Sequence, residues 1–123
     1  MTISLSALGQ IALPVSDADR AEAFYGGQLG LPKLFRFGHL VFFDCGGVRL
    51  MLEGNSDDAG RVEGVCLYYR VTGIEQAHRE LKERGVAFDD PPHLIARMPD
   101  HELWMAFFRD PDRNLLAIME ERR

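Results

Sequence analysis

The chain has 123 residues, 46% of them hydrophobic and 27% charged, which is the size and composition of one globular domain with one core. A formal net charge of −5 and a pI near 5.3 argue against nucleic acid as a partner, because phosphate binding needs a basic stripe, and here both signs of charge are mixed along the chain. The opening MTISLSALGQIALPV lacks the basic start and unbroken apolar run of a secretory signal, and no stretch approaches the roughly 20 apolar residues of a membrane span.

Two cysteines, Cys45 and Cys66, lie far apart and form no CxxC pair. The expectation is a cytoplasmic protein with free thiols, although two cysteines also permit one disulfide.

The first strong pattern is the apolar run Gln10 to Val15, which predicts a strand. Ala18, Ala21, Phe24 and Tyr25 follow at helical spacing, with Asp17 placed as N-cap and Gly30 as the left-handed stop. A strand is expected around Lys33 to Phe37. A hairpin then runs through HLVFFDCGGVRLMLE to Glu53, and NSDDAGRVEG reads as a linker near residues 55–63.

After the linker the pattern returns. Cys66 to Val71 repeats Gln10 to Val15 at an offset of 56, and Ile74, Ala77, Leu81 and Lys82 repeat the helix. Thr72 stands as the second N-cap. Gly85 matches Gly30 at an offset of 55, so the first helix or its exit is one residue longer. A strand is expected around Ala87 to Arg97. LWMAFFRDPDRNLLAIME then repeats the closing hairpin, with Phe107 on Phe42 at an offset of 65 and Glu120 on Glu53 at 67. The chain is thus a single α+β domain of two βαβββ modules, about 8–54 and 64–121. A half of about 60 residues buries too little surface to be comfortable alone, so the copies should pack together or pair with a second chain.

IALPVSDADRAEAFYGGQLGL and FFRDPDRNLLAIME resemble the opening and closing segments of the vicinal oxygen chelate superfamily, which holds glyoxalase I, bleomycin-resistance proteins, fosfomycin-resistance enzymes and extradiol dioxygenases. The resemblance covers essentially the whole chain. It implies a cupped, mostly antiparallel curved sheet with one helix per repeat on the outside, enclosing a pocket, and commonly a homodimer. Arg113 stands where the family's closing turn usually has glycine. If that position needs positive φ, a side chain there costs about 1 kcal/mol.

Enzymatic members usually hold a divalent metal on the first and last strands of each module. The resemblance puts those positions at Gln10, Leu50, Cys66 and Ala117. Leu50 and Ala117 have no donor, and one amide with one thiol makes a mismatched set, so no metal or other cofactor is expected.

Strand alternation adds Tyr68 and Arg70 to the face of Cys66. An inward arginine needs an anion or several acceptors, and could pair with a protein carboxylate or with a ligand carboxylate or phosphate. In PHLIARMPDHELW, His93, His101 and Trp104 belong either to a polar loop or to a lid over the pocket. Leu50, Leu52, Ala117 and Met119 would form an apolar wall, or simply fill the core. The expected function is binding of a small, acidic, partly aromatic molecule. The alternative is a glyoxalase-like lyase, isomerase or dioxygenase with a non-standard metal or acid-base site. No nucleic acid or membrane is expected as a partner.

Overall fold

The computed structural model describes residues 3, 5 and 7–123. It divides into two compact units, one ending at Ala59 and the other running from Gly60 to Arg123.

In the first unit, β1 (Gln10–Pro14) leads into α1 (Ala18–Glu22), where the Asp17 carboxylate accepts the Arg20 amide at 3.1 Å. The helix continues as a π-helical turn over Ala23–Gln28, with the Leu29 amide bonded to the Phe24 carbonyl five residues back. Such a turn takes up one residue more than an α-turn. This is the extra residue that the two glycine stops reveal in the sequence. Both stops are left-handed, Gly30 at φ 77° and Gly85 at φ 91°.

β2 (Lys33–Phe37), β3 (Leu40–Cys45) and β4 (Val48–Glu53) complete a sheet in the order β1-β4-β3-β2, with β1 parallel to β4 and the other pairs antiparallel. One face carries Leu13, Val41, Phe43, Leu50 and Leu52, all buried together with Ala21, Phe24 and Tyr25 of the helix. The Tyr25 and Phe43 rings lie 6.4 Å apart. Each buried Leu, Val or Phe here contributes about 1.5 to 3 kcal/mol by leaving water.

The second unit repeats the plan. β5 (Cys66–Arg70), α2 (Ile74–Glu83), β6 (His93–Arg97), β7 (Glu102–Arg109) and β8 (Leu115–Arg122) give a sheet in the order β5-β8-β7-β6, again with one parallel pair, β5 with β8. Ala106, Phe108, Leu116 and Ile118 are buried with Ile74 and Val86, and Phe88 packs between Phe108 and His78 of α2.

The helix starts differ. Thr72 is not the cap of α2. The chain turns through Gly73 at φ 75°, which takes the cap position and has no side chain to offer. The Glu120 carboxylate from β8 accepts the Gly73 and Ile74 amides instead, at 2.8 and 3.1 Å.

Register shows which residue of the first unit corresponds to Glu120. Gln10 lies level with Arg49, and Cys66 level with Leu115. Glu120 therefore matches Gly54, one residue beyond Glu53. A Cβ at Gly54 would stand 2.6 Å from the Ala18 Cβ, so α1 sits where a carboxylate would otherwise reach. Among the described residues no helix is long and apolar enough to cross a membrane.

Candidate functional site

Each sheet has a second face, away from its helix. In the first unit it carries Gln10, Ala12, Arg49, Met51 and Phe42. Arg49 donates to Gln10 Oε1 at 2.9 Å, and its guanidinium lies 5.5 Å from the centre of the Phe42 ring. Phe35 of β2 stacks on Phe42 at 4.4 Å. Gln10 Nε2 approaches the Met51 sulfur at 3.8 Å.

This corrects the placement of Leu50 and Leu52. They are 1% and 0% exposed, on the helix side with Leu13 and Phe43, and form core instead of pocket wall. Glu53 and Glu120 are not equivalent: pairing them shifts the register by one residue, which moves every side chain of β4 to the other face. Met51 is the counterpart of Ala117.

In the second unit, pairing sets Cys66, Tyr68, Arg70, Leu115, Ala117, Met119, Met105, Phe107 and Arg109 on one face. Ala117 lies between Tyr68 and Phe107, and its small side chain lets those rings meet edge to face at 6.1 Å. His93, level with Met105, brings its imidazole 6.4 Å from Phe107 and its Nδ1 3.1 Å from the Pro91 carbonyl. At the Cys66 end, Val62, Glu63, Gly64, Val65, Cys66, Tyr68, Arg109 and Leu115 line an open cleft of about 590 Å3.

The structure separates His101 and Trp104 from this group. His93 and His101 stand at opposite ends of a hairpin, roughly 15 Å apart by the rise along a strand. The segment forms β6, a tight turn closed by the Met98 amide on the His101 carbonyl, and β7. The His101 Nδ1 lies 2.8 Å from Asp100 and its Nε2 3.8 Å from Glu121. Trp104 is level with Glu120 and so faces the helix side, where it donates to Glu102 and lies under the Arg122 guanidinium at 4.9 Å. Phe107 takes the place on the open face that Trp104 was expected to fill.

Burial pushes the Cys66 thiol above its ordinary value, despite opposing effects of Tyr68 and Arg109. The Tyr68 phenol is also raised, chiefly by the neighbouring Cys66. Both groups keep their protons near neutral pH. Neither Cys45 nor Cys66 forms a disulfide.

At the metal positions of the resemblance, corrected for register, stand Gln10, Met51, Cys66 and Ala117. The Gln10 oxygen is taken by a cationic donor, Met51 offers a thioether, Cys66 offers one thiol and Ala117 has no donor. Among the described residues no three His, Cys, Asp or Glu side chains converge.

Arg109 was missed by sequence reasoning. Its signal was available: it sits two residues beyond Phe107 on the same strand, and β-alternation puts both on one face.

A model of the Glyoxalase/Bleomycin resistance protein/Dioxygenase superfamily matches residues 7–118. The chain belongs to that superfamily. It is 29% identical to the uncharacterized protein YraH of Bacillus subtilis strain 168, over 89% of this chain and 94% of that protein. Among solved structures it is similar to a superfamily member from Sphaerobacter thermophilus DSM 20745, at 28% identity and a TM-score of 0.73 over 95% and 98% of the two chains. It is also similar to TnmS3, an antibiotic binding protein from Streptomyces sp. CB03234, at 26% identity and a TM-score of 0.74 over 98% and 99%.

Proposed function

We propose that this protein binds a small, partly aromatic and acidic molecule on the open face of its second unit, without a divalent metal. The observation that carries this reading is the Tyr68–Phe107 edge-to-face pair over Ala117, with arginines along the same face. Tyr68 is 47% exposed, so a ring surface is presented to solvent next to cationic groups. Aromatic pairs of this kind add about 0.5 to 1.5 kcal/mol beyond their area, and a ligand ring extends the same geometry. The likeness to an antibiotic binding protein points the same way.

Donor chemistry supports the metal-free part. A divalent ion needs several N or O ligands, whereas Arg49 already occupies the Gln10 oxygen and would repel a cation beside it. The burial-raised thiol of Cys66 also disfavours the free thiolate that a nucleophilic mechanism would require.

The same reading takes the protein as a cytoplasmic homodimer. Leu34, Phe35 and Phe37 on the edge strand β2 are each at least 46% exposed, an apolar surface suited to a second copy.

A thermal-shift screen of small aromatic acids tests the proposal. A binder at 100 times its dissociation constant adds about 2.7 kcal/mol of stability, and Phe107→Ala should abolish the shift. No shift with any aromatic acid, or one that Phe107→Ala leaves intact, would contradict it.

A further inference from the structure

Resting on that reading, we infer that Arg109, oriented by the carbonyl of Arg113, is the residue that selects a carboxylate on the bound molecule. Three arginines elsewhere in this unit are neutralised within the protein: Arg97 by Glu102, Arg122 by Glu75 and Glu120, and Arg123 by Asp100. Arg109 is not among these ion pairs. Its guanidinium donates to the main-chain oxygen of Arg113 at 3.1 Å, and no carboxylate lies within ion-pair distance of it among the described residues.

That contact is built into the turn. Asp110 accepts the Asp112 and Asn114 amides and the Asn114 side chain, at 2.9, 2.8 and 2.9 Å, and Arg113 adopts φ 69°. The left-handed residue turns its carbonyl to the guanidinium and holds one side of the fork. The remaining donors stay available in the cleft lined by Cys66 and Tyr68. An arginine fork matches a planar carboxylate with two parallel hydrogen bonds.

The surroundings favour a single negative charge. The Cys66 thiol, which directs its proton at the Leu67 carbonyl at 4.0 Å, and the Tyr68 phenol are both neutral, and Glu63 is the one acidic side chain in the cleft lining. A dianionic phosphate would meet one guanidinium and the repulsion of Glu63. Arg70 is the other cation of the face, but it lies four residues along β5 from Cys66, roughly 13 Å away, and does not line this cleft.

The test is a titration of the full chain with benzoate, benzamide and phenyl phosphate, followed by backbone amide shifts. Benzoate should bind about tenfold more tightly than the isosteric benzamide, and more tightly than phenyl phosphate, with the largest shifts around Cys66, Tyr68 and Arg109. Arg109→Ala should bring benzoate and benzamide within about twofold of each other, Arg109→Lys should keep part of the preference, and Arg70→Ala should leave it intact.

Equal binding of acid and amide, tighter binding of phenyl phosphate, or a preference that survives Arg109→Ala would overturn the assignment while leaving the aromatic face as a binding site. If none of the three compounds binds the wild-type chain, the reading of the face itself fails, and this inference with it.

Discussion

Single residues set the strain and the charge of the open face. Arg113 holds φ 69° where a glycine would be at ease, which costs a side-chain-bearing residue about 1 kcal/mol. Arg113→Gly should therefore raise the melting temperature by a few degrees in calorimetry. A fall would mean that the side chain itself holds the turn. Cys66 offers a second check. Because its folded thiol keeps its proton above the ordinary value of 9.0, the folded state should lose stability as pH rises through and beyond that value, where the unfolded thiol ionises first. Cys66→Ala should flatten that alkaline decline in chemical denaturation. At neutral pH, the same burial should make Cys66 slower than a small free thiol to react with iodoacetamide.

At the scale of elements, the two units solve one problem in two ways. α1 is capped by its own Asp17, while α2 depends on Glu120, 47 residues further along the chain from Gly73, with Arg122 beside it at 2.9 Å. Glu120→Ala should cost about 1 to 2 kcal/mol in denaturant unfolding, with Glu120→Gln milder. The Gly73 amide, with the Ile74 amide and Arg122, holds the Glu120 carboxyl below its ordinary 4.5. A depressed acid stabilises the fold above its unfolded value, so this contribution should be lost as pH falls below about 4.5, and Glu120→Gln should remove that part of the acid sensitivity. Gly54→Val, in contrast, should destabilise by about 1 to 3 kcal/mol or more, because its Cβ would meet Ala18 and the His39 carbonyl.

These elements also show what the sequence could reveal. The offset of 56 between Gln10 and Cys66 placed both first strands and both helices, and the glycine stops exposed the extra residue of the π-helical turn. The final strands were harder to read. Two glutamates, Glu53 and Glu120, looked equivalent, yet one is exposed and the other caps a helix, and only hydrogen-bond register tells them apart. Likewise Trp104 looked like a pocket residue, but it differs by an odd number of positions from Phe107, and a strand sends the two to opposite faces. Composition cannot supply parity. His93 and His101 are close in sequence and far apart along a hairpin for the same kind of reason.

For the whole molecule, membership of the superfamily fixes the fold without choosing the chemistry, since function lives in the site. Here the first-strand and last-strand positions hold Gln10, Met51, Cys66 and Ala117, while an aromatic pair and arginines occupy the open face of the second unit. The proposed binding function carries one expected behaviour: reversible binding, indifferent to divalent ions. The most direct test is isothermal titration of an aromatic acid, chosen from the thermal-shift screen, into protein with and without excess chelator. The same dissociation constant is expected in both. Binding that disappears with chelator and returns with zinc, nickel, iron or manganese would contradict it.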